Sequence, residues 1–322
     1  MSKNAEGKQL LRQIDDLISE GEYDSAIELS RELLRRAPDK AGQAWLSIAV
    51  SEERAGRPTA ALPAFRRALA LALYTCERPP LPVLNHLGVV LYDMGLYARA
   101  AVCHRLTCDR EPKAYRFVML ARCLYRLGLV KEAIHAAEDA IECDEAYDEA
   151  YHMLGVYLRD LDPARAADCL KKALALDPKR ARTYASLAEL AWREGDWRRV
   201  VERARQGLAI DPDNVLCWVR LAEAMERLGE VEEAERAFRS GLRSHGDENE
   251  TWARREFAGL LRRQGRHDEA IDEFEYVLRG WPDEAESYEC YAAFLEDAPG
   301  LADRAAEIRE RLARVSSLLG RV

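Results

Sequence analysis

Residues Tyr151–Leu158 read YHMLGVYL, and residues Leu170–Pro178 read LKKALALDP. In the first stretch Tyr151, Leu154, Gly155 and Leu158 fall at i, i+3, i+4 and i+7, the spacing that lines side chains along one face of an α-helix. The second stretch ends at Pro178, which lacks an amide hydrogen and cannot continue a helix. Leu161-Asp162-Pro163 supplies the turn between them. The segment therefore reads as a pair of antiparallel helices joined by a tight turn.

The same pair recurs along the chain. Ala26, Ala61, Ala100, Ala133, Ala166, Val200, Ala234, Ala270 and Ala305 are spaced 33 to 36 residues apart, with one interval of 39 between Ala61 and Ala100. Five residues ahead of these run Gly21, Gly56, Gly95, Gly128, Gly195, Gly229, Gly265 and, more loosely, Gly300. Behind them run Pro38, Pro112, Pro178, Pro212 and Pro282. Upstream of the glycines lie further helical stripes, such as Leu84-Leu87-Gly88-Leu91 and Trp218-Leu221-Ala222-Met225. Each glycine ends a first helix, because it tolerates the left-handed C-cap conformation. Gly88, Ala121, Gly155, Ala188, Ala222 and Ala258 in first helices, with the alanine series in second helices, mark where the two cross. A large side chain there would overpack the crossing at a cost of about 1–3 kcal/mol.

This order of Trp/Tyr, Leu-Gly/Ala, Gly-x-Tyr, Ala, Phe/Tyr and Pro resembles the tetratricopeptide-repeat (TPR) consensus over residues 8–315, about nine repeats. The resemblance implies an all-α, right-handed α-solenoid of helix–turn–helix repeats with a C-terminal capping helix. The expected organisation is a disordered 1–7, repeats 1 and 2 over 8–78, a proline-rich joint at 79–82, repeats 3 to 8 and the first helix of repeat 9 over 83–300, and a capping helix and tail over 301–322. The joint is expected from residues 76–82, CERPPLP, since prolines favour an extended connector. The last second helix is strongly charged, as a terminal repeat requires.

The resemblance also places first helices on a concave groove. Candidate partner-binding residues in that groove are Tyr92, Arg122, Tyr125, Arg126, His152, Arg159, Arg182, Trp192, Arg193, Arg227, Trp252, Arg255, Arg262 and Arg263. Groove positions of repeats 3 to 8 carry nine basic and six acidic groups, so the groove reads as slightly positive, and repeat 9 adds Glu286, Glu289, Glu296 and Asp297 at one end. Aromatic and arginine side chains are the usual hot spots of interfaces. The expected occupant is an extended or helical protein segment bearing acidic residues, since arginine pairs well with carboxylates. Nucleic acid is the alternative, because stacking and phosphate contacts use the same side chains. Against both stands a structural role: aromatics pack between repeats, and arginines pair with neighbouring glutamates. The Lys/Asn/Arg carboxylate clamp of chaperone adaptors has no counterpart; Asn85 is isolated, with Arg122 and His152 in the neighbouring repeats. Homo-oligomers through the ends of the array form a third expectation.

Composition narrows the classes further. The chain has 322 residues, 48% of them hydrophobic, and a net charge of −9, which disfavours a general nucleic-acid binder. It lacks an 18-residue apolar run, so no membrane-spanning helix is expected, and its first residues lack the apolar core of a signal peptide. The eight scattered cysteines form no CxxC and read as reduced, mostly buried small hydrophobes of a cytoplasmic protein. High Arg and Ala content suggests a bacterial source. There is no P-loop, nucleophile elbow or dinucleotide fingerprint, and the repeats leave no segment for a catalytic domain. The expectation is a non-enzyme with no cofactor and no metal. Cys103-His104-x3-Cys108 does not place enough ligands on one face for zinc, which takes four. His267 occupies the slot of Tyr23, Tyr97 and Trp197, so it reads as a turn-packing residue and not a catalytic one.

Overall fold

A computed structural model describes residues 3–75, 79–243, 249–282, 284–297 and 301–319. Among these there are eighteen α-helices and no strand. The chain divides into two compact units, residues 1–176 and 177–322.

The first unit contains α1 (Lys3–Glu20), α2 (Tyr23–Arg36), α3 (Ala41–Arg54), α4 (Pro58–Thr75), α5 (Leu81–Asp93), α6 (Tyr97–Arg110), α7 (Ala114–Arg126), α8 (Val130–Cys143), α9 (Asp148–Leu158) and α10 (Pro163–Leu176). Each odd-numbered helix packs on the even-numbered helix after it, giving five pairs. First helices also touch first helices, α1 with α3, α3 with α5 and α7 with α9, so they form a row. The second unit repeats the plan with α11 (Ala181–Arg193), α12 (Trp197–Ile210), α13 (Val215–Arg227), α14 (Val231–Gly241), α15 (Glu250–Arg263), α16 (His267–Gly280), α17 (Ala285–Asp297) and α18 (Ala302–Leu319), four pairs whose first helices again adjoin.

The pairs form where the periodic small residues sit. Ala26, Ala61, Ala100, Ala133, Ala166, Val200, Ala234 and Ala270 are all fully buried. Opposite them, a Cβ built on Gly155 would lie 2.7 Å from Leu170 Cγ, and one on Gly88 would lie 2.7 Å from the His104 ring. The crossing is thus filled by a side chain of the second helix, and the first helix must be small to admit it. The turn glycines are equally constrained. Gly128 has φ +76°, and the amide of Leu129 donates to the Leu124 carbonyl at 3.0 Å, closing the end of α7. That six-to-one bond is the Schellman C-cap, whose left-handed residue is disfavoured for any side chain with a Cβ. Six more of the series share a positive φ; Gly300 lies outside the described residues. The fifth repeat turns without glycine: the Asp162 carboxylate accepts from the Arg165 amide at 3.0 Å and caps α10.

Two boundaries differ from the sequence expectation. Residues 3–7 are helical where a disordered 1–7 is expected, with residues 1 and 2 outside the described range. A Cβ on Gly7 would lie 3.1 Å from Ala37 Cβ, and Glu6 pairs with Arg36 at 3.0 Å, so α2 and the turn after it hold the start of α1. The expected joint at 79–82 is shorter. Pro80 is extended, but Leu81 and Pro82 already open α5, the position where proline costs a helix no hydrogen bond. Residues 76–78, including Cys76, lie outside the described residues.

Candidate functional site

In the first unit the row of first helices brings Tyr92, Arg122, Tyr125 and Arg126 together. The Arg122 guanidinium carbon lies 5.0 Å from the Tyr92 ring centre, a cation–π contact. Tyr92 meets Tyr97 edge to face at 5.2 Å, and Arg126 Nη2 donates to the Tyr97 hydroxyl at 2.7 Å. Tyr125 stacks on Tyr157 at 4.6 Å. Tyr92 and Tyr125 are half-buried, so they serve packing between repeats as well as the surface. His152 is corrected: it is 6% exposed and belongs to the interior. Arg159 lies 3.5 Å from Asp160 on the next position of the chain.

In the second unit a residue that the sequence reading passed over organises the face. Arg220 on α13 lies between two indoles, 4.9 Å from the Trp192 ring centre and 5.1 Å from that of Trp252. Its guanidinium pairs with Glu189 from α11 and with Glu223 one turn along α13. Burial, with Glu256 and Glu189 adding like charge, pushes the Glu223 carboxyl up to about 6 although Arg220 opposes the shift. No linear spacing signals this cluster, because its members come from three successive first helices at different turns.

The remaining candidate arginines of this unit are mostly satisfied from within. Arg263 binds Glu226 through two bonds of 2.5 and 2.8 Å. Arg262 reaches Asp297 at 2.8 Å, and Arg193 reaches Glu189 at 3.0 Å. Arg255, with its side chain only 8% exposed, pairs with Glu284 and Glu286 at 2.9 and 3.0 Å and so is not open to a partner. Arg227 lies 5.7 Å from the Trp197 ring centre, and Arg182 is exposed. The expected acidic end at repeat 9 is corrected in the same way: Glu286, Asp297 and Glu296 are tied to Arg255, Arg262 and Arg309. Of the basic groups counted over repeats 3 to 8, Arg193, Arg255, Arg262 and Arg263 are thus neutralised within the second unit. A further buried tie joins α15 to α16, where Arg254 pairs with the fully buried Glu250 and with Glu273 while lying 3.6 Å over the Tyr276 ring.

Other candidate chemistry resolves into packing. Cys103, His104 and Cys108 are all buried on α6, and no group of three or more His, Cys, Asp or Glu is arranged to hold a metal ion among the described residues. Burial, then the charge of Arg122, pushes the His104 imidazole down to about 4, so it is neutral near pH 7. His104 fills the slot that Phe65, Phe238 and Phe274 fill in other repeats. His267 packs 6.0 Å from the Phe294 ring, a turn-packing contact. The seven cysteines among the described residues are free thiols. No helix among the described residues is long and apolar enough to cross a membrane.

This geometry, stacked helix pairs with small residues at each crossing and glycine C-caps at a regular interval, defines a helical-repeat protein. Tetratricopeptide-repeat sequence models match residues 11–73 and 191–254, and the chain belongs to the tetratricopeptide-repeat family. Among solved structures it is similar to a tetratricopeptide repeat protein from Parabacteroides merdae ATCC 43184, with 13% identity, a TM-score of 0.67, and coverage of 79% of this chain and 98% of that one. A MamA crystal structure is similar with 23% identity and a TM-score of 0.42, over 48% of this chain and 92% of that one. No curated protein matches significantly. The repeats support a protein-interaction scaffold as the general class, in a family that is typically non-catalytic.

Proposed function

We propose that the chain is a non-enzymatic adaptor or regulatory subunit of the bacterial cytoplasm that binds a segment of a partner protein on its first helices. The observation that carries this reading is the concentration of half-buried tyrosine and tryptophan with arginine on the first helices of each unit, at Tyr92, Arg122 and Tyr125 in the first and at Trp192, Arg220 and Trp252 in the second. Rigid aromatics and arginine supply contact area at low entropic cost. The internal pairing of Arg255, Arg262 and Arg263 with carboxylates disfavours nucleic acid, because a phosphate backbone gains affinity from cations free to replace its counterions. The family fold alone assigns no partner.

The test is affinity capture from the native host with nuclease present, comparing the wild type with Arg122→Glu/Arg126→Glu. A protein captured by the wild type, cross-linked to first helices and lost in the variant, is the expected result. A partner cross-linked to even-numbered helices and retained by the variant overturns the placement. Nucleic acid recovered without nuclease, with no protein partner, puts the alternative in its place.

A further inference from the structure

Arg122 differs from Arg193, Arg255, Arg262 and Arg263, which are paired with carboxylates. It lies half-buried on α7 against the Tyr92 ring, and its one hydrogen-bond contact among the described residues is to the Met119 thioether, Nη1 to Sδ 3.8 Å. A thioether is a weak acceptor, and no carboxylate stands within ion-pair distance of this guanidinium among the described residues. Tyr157 on α9 is only 2% exposed, stacks on Tyr125, and has a hydroxyl with no hydrogen-bond partner. Buried hydroxyls are nearly always satisfied, so an orphan one asks for an explanation. Burial pushes the Tyr157 phenol far above its ordinary range, and Arg122 is the group that most opposes this, so the two lie within electrostatic reach. The phenol is therefore a donor at any ordinary pH. Arg122 on α7 and Tyr157 on the adjoining α9 are two donors that lack a good acceptor.

We propose that Arg122 receives one carboxylate, an Asp or Glu side chain of the partner segment, and that the Tyr157 hydroxyl donates to the same carboxylate once the side chains covering it shift. The inference rests on the protein-segment reading above and names the chemistry of its ligand. Charge around the site sets how many anions enter. Asp93 on α5 lies within electrostatic reach of Arg122 and of Glu53 on α3; Glu53 is held by His86 at 2.9 Å, and burial followed by Glu53 pushes the Asp93 carboxyl up. Glu149 on α9 adds negative charge near the Tyr157 phenol. These acids oppose the entry of more than one further negative charge. A polyphosphate backbone or an acidic run would meet Asp93 and Glu53. The Tyr92 and Tyr125 rings offer apolar surface to the residue beside the carboxylate, so the site takes an isolated acid next to an apolar residue.

The experiment uses the full chain and two blocked heptapeptide mixtures, randomised at six positions and fixed at the centre as Glu or as Gln, with bound peptides quantified by mass spectrometry. The expected result is about tenfold enrichment of the Glu mixture, with apolar residues next to it. Arg122→Met should abolish that preference, bringing capture of the Glu mixture down to the level of the Gln mixture, and Tyr157→Phe should reduce it about threefold. Circular dichroism confirms that both variants fold. Equal capture of the Glu and Gln mixtures, or a Glu preference that survives Arg122→Met, overturns the proposal while leaving the segment reading in place. Capture of neither mixture together with binding of oligouridylate overturns both.

Discussion

Arg220 lies with its guanidinium carbon 4.9 Å from the ring centre of Trp192, held there by Glu189 and Glu223. Trp192 and Glu189 lie on α11, and Arg220 and Glu223 on α13, so the contact ties α11 to α13. Removing the cation strands the Glu223 carboxylate, 14% exposed, and leaves Glu189, 15% exposed, with Arg193 as its remaining partner. Breaking a buried pair from one side costs about 3 kcal/mol. Arg220→Met should therefore lower the urea midpoint of the second unit, followed by tryptophan fluorescence. Adding Glu189→Gln and Glu223→Gln to that variant should restore more than half of the loss. An unchanged midpoint in Arg220→Met would show that the network contributes nothing to stability.

Glu223 makes stability depend on pH in the unusual direction for a carboxylate. Its carboxyl is raised from 4.5 to about 6 in the folded chain, chiefly by burial. The folded state then binds the proton more tightly than the unfolded state, so the contribution is fully present below pH 4.5 and is lost as pH rises through about 6. The shift corresponds to about 2 kcal/mol. Unfolding free energies of the wild type and Glu223→Gln, compared at pH 4.5 and 7, should differ by that much more at the higher pH, with the variant the more stable there. A difference independent of pH would contradict the raised carboxyl.

Gly88 and His104 form a matched pair. A Cβ on Gly88 would stand 2.7 Å from the imidazole, so Gly88→Ala should destabilise by about 1–3 kcal/mol through overpacking. The double variant Gly88→Ala/His104→Ala should lose less than the two single losses together, because the clash is gone. His104 also titrates. With its folded value near 4 and its ordinary value at 6.5, its contribution is present above 6.5 and is lost as pH falls towards 4. His104→Leu, which copies the Gly155–Leu170 pairing, should abolish that acid sensitivity in denaturant titrations.

Two glycines should respond oppositely to alanine. Gly128 holds φ +76°, where a Cβ costs about 1–2 kcal/mol, so Gly128→Ala should lower the melting temperature. Gly259 sits inside α15 with ordinary φ, and its new Cβ would meet only the far end of Arg263 at 3.4 Å. Gly259→Ala should raise stability by about 0.5–1 kcal/mol. Calorimetry of the two variants side by side decides the matter, and a stabilised Gly128→Ala would contradict the C-cap assignment.

The chain by itself determined the helix pairs. Small residues at the crossings, glycine after most first helices and proline after five of the second ones act within a few residues of where they stand, so local sterics and helix termination leave a periodic record. Pro80 and Pro82 are an exception in degree: both read as breakers, yet the start of a helix tolerates them, and α5 begins at Leu81. Candidate binding residues were legible only as a list of first-helix positions. Which of them are open was decided by the tertiary structure, because that depends on partners some thirty residues away in sequence. Arg263 is matched by Glu226 and Arg262 by Asp297, while Arg122 rests on a tyrosine and a thioether. Arg220 and Tyr157 escaped notice for the same reason. Burial, pairing and the pKa of Glu223 are properties of three helices brought side by side, and none of those helices carries a sign of the other two.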